Sequence, residues 1–197
     1  MVLLDIKSIG ELASNNLKEV FNSQKCFHNW KKIANKAIQN QWFHILENDN
    51  YFTLEYNQPQ VVILPIVDGK NILIVKVKRP VISSSTWELP AGGLEKDENA
   101  KEGALRELRE ETDISVKDQA RLEPMNPLVV SPTRMPMFPN LFSINITREE
   151  FQARQSHDDE IEEVGLFTFQ EIRQMILDEE IFVSLPLAIL SRFLQQT

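Results

Sequence analysis

The sequence predicts an α/β domain, a mixed sheet covered by helices. Three observations lead there. Two β-rich runs, Gln60 to Val67 and Asn71 to Arg79, flank Asp68-Gly69-Lys70, a strong hairpin signal. A helix start follows, with Asn99 as N-cap and Glu102 at the third helical position, a capping-box pattern. Strand-like and helix-like stretches then succeed one another to the C-terminus, and such a mixture buries a sheet beneath helices.

Each element has its own justification. Residues 1–58 read as an N-terminal extension. Ile9, Leu12, Leu17, Val20 and Phe21, then Trp30, Ile33, Ala34, Ala37 and Ile38, recur at helical spacing. From Gln41 to Tyr56 the pattern turns to strand character, through Trp42, Phe43, Ile45, Tyr51, Phe52, Leu54 and Tyr56, with Asn48-Asp49-Asn50 as a turn. Residues 59–197 form the main domain. After its hairpin, Trp87-Glu88-Leu89-Pro90-Ala91-Gly92-Gly93 reads as a strand end breaking into a tight loop, where glycines admit close approach to a ligand. The helix from Asn99 runs to about Thr112, and Ala104, Leu105 and Leu108 give it an apolar side to dock. Leu122 to Val130, Met137 to Thr147 and Glu163 to Phe169 read as strands. Gln170 to about Glu179 and Ser184 to Gln196 read as helices, the last with Ser184 as cap and Pro186 in its first turn.

Composition excludes several classes. The chain of 197 residues is 42% hydrophobic, enough to build a full core. A net charge of −8 without a basic stripe argues against nucleic acid as a partner. The single Cys26 excludes an intrachain disulfide and a cysteine metal cluster, and fits a reducing compartment. No apolar run has the length of a membrane span. Asp5, Lys7 and Glu11 interrupt the apolar residues of the N-terminus, unlike a secretory signal. A soluble cytoplasmic protein is expected.

The chemistry concentrates on the helix from Asn99. Glu107, Glu110 and Glu111 lie three and four positions apart and share one face. A run of charge is ordinarily a solvated face, but like charges on one face repel, and a counter-cation removes that cost. Carboxylate oxygens suit Mg²⁺, Mn²⁺ or Ca²⁺. Arg106 sits at i+4 from Glu102 and i−4 from Glu110, placed to brace the acidic face.

The stretch from Gly92 to Ile114 resembles the Nudix box, the loop-helix-loop motif of the Nudix hydrolases. Gly92, Glu98, Arg106, Glu107, Leu108, Glu110, Glu111 and Ile114 match that motif in register. Asp113 departs from it, standing where the family usually has glycine. That position follows the helix, where a left-handed residue is often needed, and Asp tolerates that conformation better than most. The resemblance implies the Nudix α/β/α sandwich. It implies that Glu107 and Glu111 bind metal directly, Glu110 directly or through water, and that the carbonyl of Ala91 adds a ligand. It makes Arg106 and Glu98 braces of the loop and helix, and places Gly92 and Gly93 against the substrate. Mg²⁺ is the expected cation, with Mn²⁺ as the alternative.

Features outside the box resemble the ADP-ribose pyrophosphatase subgroup. His157-Asp158-Asp159-Glu160-Ile161-Glu162-Glu163 precedes a strand, where that subgroup carries an acidic loop. The resemblance makes Glu160 the general base and Glu162 a metal ligand, with Glu163 close enough to compete for either assignment. Arg79, at a strand end, corresponds to an arginine that contacts substrate phosphate. Its planar fork suits that task, and a solvated strand-end arginine is the alternative. Ser131 to Asn140, rich in proline, reads as a loop shaping the pocket or as an ordinary connection. The expected substrate is a nucleoside diphosphate sugar, ADP-ribose first, GDP-mannose or another such compound next. A catalytically silent nucleotide-binding sensor is the other functional class, and the full set of box carboxylates favours the enzyme. His28, His44 and His157 are scattered without metal-ligand spacing. A homodimer built partly through residues 1–58 is expected.

Overall fold

In the computed structural model of the chain, residues 35–48, 51–155 and 159–197 are described. The helical spacing expected over residues 9–34, most of the Asn48-Asp49-Asn50 turn, and His157 and Asp158 lie outside them. The chain divides into two compact units: residues up to Asn57 with Ser131–Pro136, and Gln58–Val130 with Met137–Thr197.

The first unit is an antiparallel sheet of β1 (Asn35–Gln39), β2 (Phe43–Asn48) and β3 (Tyr51–Tyr56) in that order. Asn40 Oδ1 closes the β1–β2 connection by accepting from the Trp42 and Phe43 N–H groups. The helical spacing that includes Ala37 and Ile38 is overturned here, because pairing with β2 draws this segment into a strand. Trp42, Tyr51, Phe52 and Tyr56 are exposed.

The second unit is built on a mixed sheet. Its strands are β4 (Gln60–Val67), β5 (Asn71–Arg79), β6 (Ser84–Glu88), β7 (Ala91–Gly93), β8 (Glu123–Pro124), β9 (Asn140–Ile146) and β10 (Ile161–Thr168). The order is β10-β5-β4-β9-β8, with β6 on β5 and β7 on β4. Only β4 and β9 run parallel among these pairs. The β4–β5 hairpin turns as its sequence requires: Asp68 and Gly69 take φ of 53° and 64°, and the Lys70 N–H donates to the Val67 carbonyl.

Helices cover both faces. The helices are α1 (Ala100–Thr112), α2 (Arg148–Gln152), α3 (Phe169–Leu177) and α4 (Ser184–Leu194). Val61 and Ile63 of β4 pack with Leu73, Val75, Ala104 and Leu108 under α1. The alternate residues Val62 and Leu64 pack with Ile72, Ile74, Ile172, Ile189 and Leu190 under α3 and α4. A strand buried on both faces needs a continuous apolar run, and Val61 to Leu64 supplies it. The result is the three-layer α/β/α sandwich.

Some expected bounds shift. The Leu122–Val130 strand shrinks to β8, since Pro124 and Pro127 cannot donate to a ladder. β9 is shorter than Met137–Thr147, beginning after Pro139. β10 starts earlier than Glu163, and Thr168 ends it as the N-cap of α3, in a capping box with Glu171. Ser184 lies inside α4; Val183 holds the cap position without a side-chain bond. Gly92 and Gly93 stand in β7, paired to β4, rather than in a tight loop.

An ion pair outside the site fastens α2 to the turn at residues 119–121. Arg121 reaches Glu150 with both Nη atoms, at 2.6 and 2.9 Å. The Arg121 guanidinium, helped by the Thr147 N–H, pulls the Glu150 carboxyl down to about 2. A lowered carboxyl pKa contributes stability that is present above the ordinary value of 4.5 and lost as pH falls toward 2. Thermal unfolding of Glu150→Gln should therefore occur below that of the wild type at pH 6, with the gap closing between pH 4.5 and 2. A gap that is constant over that range would remove the ion pair as its source.

Candidate active site

The cleft forms where β5, β7, α1 and the entry to β10 meet. Its volume is about 250 Å³, and Val77, Arg79, Ala91, Glu107, Glu110, Glu111, Glu160 and Ile161 line it. Sequence-distant residues converge here because the sheet register brings them together. Val77 pairs with Ile161 across β5 and β10, and Ala91 pairs with Val62 across β7 and β4.

The acidic residues depend on α1 for their placement. Asn99 caps it by accepting from the Lys101 and Glu102 N–H groups, while Glu102 accepts from the Asn99 N–H. Gly103, Ala104, Leu108 and Thr112 are buried, so Glu107, Glu110 and Glu111 stand on the side facing the cleft. Gly103 leaves room for the loop: a Cβ there would come within 2.3 Å of Leu94 Cδ2, and that side chain would have to shift. Gly92 is a second close approach, since a Cβ would come within 2.1 Å of Glu107 Oε1. Neither Gly92 nor Gly93 is among the cleft-lining residues. Gly92 leaves room for Glu107, and the Gly93 carbonyl accepts from Arg106 at 2.7 Å.

Arg106 is the hub. It donates to Glu98 through Nε and Nη2, each at 3.0 Å, and through Nη1 to Glu107 at 2.8 Å and Glu110 at 2.9 Å. These bonds hold the Glu98 carboxyl below the usual range. Burial raises Glu107, with Arg106 opposing. Burial, with the charge of Glu107 behind it, pushes the Glu111 carboxyl up to about 8, against the pull of the Ala91 N–H, which donates to it at 3.3 Å. Carboxylates this costly to ionise unaided, beside a backbone strand, are hard oxygen donors that fit a divalent cation. Among the described residues no three acidic, histidine or cysteine side chains already converge at ligand distance. Arg106 and the Ala91 N–H engage the carboxylates instead.

Arg79 closes another side. Its Nε and Nη2 donate to both oxygens of Glu88, at 2.7 and 2.9 Å, and Thr86 Oγ1 donates to the same carboxylate. This bidentate pair raises the Arg79 pKa. Sequence reasoning gave Glu88 no role. The register sets Glu88 opposite Val75 and Arg79 opposite Ser84, so the two side chains meet along one face of β5 and β6 rather than directly across the hairpin.

The downstream acidic stretch splits. Glu160 lines the cleft, and the Lys78 N–H donates to its carbonyl at 3.1 Å. Glu162, expected as a metal ligand, is exposed and outside the cleft lining, as is Glu163. A register shift between Ile161 and Glu163 leaves Glu162 in a bulge, which redirects side chains. Of the Ser131–Asn140 loop, the part within the second unit, Met137–Asn140, contributes no lining residue.

The NUDIX domain pattern matches residues 56–185, most of the chain. The chain belongs to the Nudix family. It is similar to Phosphatase NudJ of Escherichia coli K12, with 32% identity over 117 residues, 59% of this chain and 73% of that protein. The NudJ of Shigella flexneri matches to the same extent. A crystal structure of an ADP compounds hydrolase shares the Nudix fold, with a TM-score of 0.60 at 18% identity, covering 83% of this chain and 89% of that one. Among the described residues no helix is long and apolar enough to cross a membrane.

Arg106 offsets several half-buried carboxylates at once. Replacing it by Leu leaves Glu98 and Glu107 without their cation and the Gly93 carbonyl without its donor, so Arg106→Leu should lose about 3–5 kcal/mol in urea unfolding at pH 7. Acidification to pH 5 should recover part of the loss by protonating the stranded carboxyls. A loss below about 1 kcal/mol would remove Arg106 as the hub.

Proposed function

We propose that this Nudix chain hydrolyses the pyrophosphate bond of a nucleoside diphosphate sugar, ADP-ribose first among them, with Mg²⁺ or Mn²⁺ as cofactor. One observation carries the reading. A single cleft gathers Arg79, the Ala91 backbone, Glu107, Glu110, Glu111 and Glu160, a cation fork and hard oxygen donors around a space fit for a diphosphate. The names of the relatives and of the structural neighbour, a phosphatase and an ADP compounds hydrolase, support a phosphorus-oxygen bond as the target.

Glu107, Glu111 and the Ala91 carbonyl would hold the cation, with Glu110 beside them. The cation would neutralise charge on the phosphoryl oxygens and ease deprotonation of water. The remaining work belongs to the chain's own residues. Arg79, held flat by Glu88, offers N–H groups to non-bridging oxygens. Arg106, wholly engaged with the protein, fixes the carboxylates rather than touching substrate. Glu160 accepts the proton of the attacking water. Water oxygen bonds to one phosphorus, the bridging oxygen leaves with the other, and two phosphate monoesters result. The net charge of −8 keeps nucleic acid out of the reading. A second copy as partner is proposed as well, supported by exposed Trp42, Tyr51 and Phe52 on the first unit; light scattering against the 22.8 kDa monomer mass tests it.

The test is phosphate release from ADP-ribose with Mg²⁺, with and without an added alkaline phosphatase. Monoester products release phosphate only with the added enzyme. Phosphate without it would mean that the monoester products are themselves cleaved, since both phosphates of ADP-ribose are esterified, and no turnover across a nucleoside diphosphate sugar panel would support the silent sensor. Glu111→Gln should lower kcat by about 10²–10³-fold at saturating Mg²⁺. Glu160→Gln should lower kcat by about 10²–10⁴-fold while Mg²⁺ affinity changes little. Wild-type kcat in either variant would strip that residue of its role.

A further inference from the structure

Asp113 stands where the family motif has glycine, and the structure gives it a task glycine cannot perform. It ends α1 in the left-handed conformation, φ 57° and ψ 19°, with its N–H donating to the Arg109 carbonyl at 2.7 Å. Glycine would take that backbone freely. Asp113 Oδ2 instead accepts from the Gln155 N–H at 2.6 Å, far along the sequence. Gln155 belongs to the segment between α2 and β10, the segment that delivers Glu160.

The ends of that segment are fastened. At its start, Arg154 Nη1 donates to the Phe151 carbonyl at 2.7 Å, and the Arg154 guanidinium lies 3.5 Å from the centre of the Phe151 ring. Asp113 holds the next residue. At its close, the Lys78 N–H donates to the Glu160 carbonyl, and Lys78 Nζ reaches the Asp159 carbonyl at 3.5 Å. The Lys78 contacts tie Glu160 to β5. Asp113 ties Gln155 to the terminus of α1, the helix of Glu107, Glu110 and Glu111.

We infer that Asp113 is a positioning residue, setting Glu160 relative to the α1 carboxylates by anchoring Gln155. The inference rests on the pyrophosphohydrolase reading of the cleft. It runs opposite to what motif matching suggests: restoring the family's glycine should harm the enzyme. Asp113→Gly relieves left-handed strain while removing the bond to Gln155, so its Tm should stay within about 4 °C of the wild type. Its kcat on ADP-ribose should fall about tenfold, because small misplacement of a reacting group is costly. KM should remain within about twofold, since the Arg79 and α1 contacts are untouched. Asn keeps both the left-handed tolerance and a side-chain acceptor, so Asp113→Asn should return kcat to within about twofold of wild type.

Amide exchange at Gln155 reads the anchor without any activity. It should be about tenfold faster in Asp113→Gly and near wild type in Asp113→Asn. Unchanged exchange in Asp113→Gly overturns the anchor. Faster exchange with wild-type kcat overturns the positioning role and leaves the hydrolase reading standing. A parallel fall in Tm and kcat, both unrescued by Asn, assigns Asp113 to stability alone and overturns the proposal. No turnover by the wild type overturns the hydrolase reading, and the positioning of Glu160 with it.

Discussion

Several carboxylates can share one half-buried cleft only if something opposes their repulsion, and here that is the Arg106 guanidinium. It is 15% exposed, like Glu98 and Glu107 at 13% and 12%, so solvent screens these pairs weakly. Glu98 comes from the loop ahead of α1, Glu107 and Glu110 from the helix itself, and the Gly93 carbonyl from β7. One planar group thereby fixes loop, helix and strand together. Arginine suits this because its donors lie in a rigid fork and stay protonated. Lysine would present one point charge in place of that geometry.

The hub imposes demands on its neighbours. Gly92 leaves room for Glu107, and Gly103 leaves room for Leu94 and Glu98 beneath the helix. A glycine inside a helix costs about 1 kcal/mol relative to alanine, and here close packing of loop on helix offsets it. Asn99 supplies the capping box that starts α1 in the right register. Arg106 does not reach Glu111. Burial and the charges of Glu107 and Glu88 push that carboxyl up to about 8, against the Ala91 N–H and the charge of Arg79. A carboxyl held up by burial in this way gains from a cation beside it.

How much of this the sequence disclosed follows from the range of each interaction. The helix, its cap, its shared acidic face and the brace by Arg106 are written within a few turns of chain, and local spacing reads them directly. The β4–β5 hairpin is equally local, since Asp68-Gly69 demands positive φ. Glu88 escaped because its partner Arg79 meets it only once β5 and β6 pair. Glu162, a metal ligand by resemblance, stands exposed in a bulge, and the bulge depends on how β10 registers against β5. Ala37 and Ile38 had helical spacing, yet pairing with β2 decided their state. Local chemistry was legible wherever local chemistry decides, and obscure wherever sheet register does.

Asp113 belongs to the second kind, although it lies inside the most legible stretch of the chain. Pattern comparison treats it as a tolerable lapse from glycine. The balance of energies says why it is more than that. A left-handed aspartate costs on the order of 1 kcal/mol, and a hydrogen bond from a backbone N–H returns a similar amount. The two nearly cancel, so folding stability gives little reason to prefer either residue. What does not cancel is geometry. With glycine, the bond to Gln155 would be lost; with aspartate, the end of α1 and the segment before β10 are joined there. A substitution neutral for stability but directive for placement has its consequence in the cleft, where the base and the carboxylates of α1 must face one substrate.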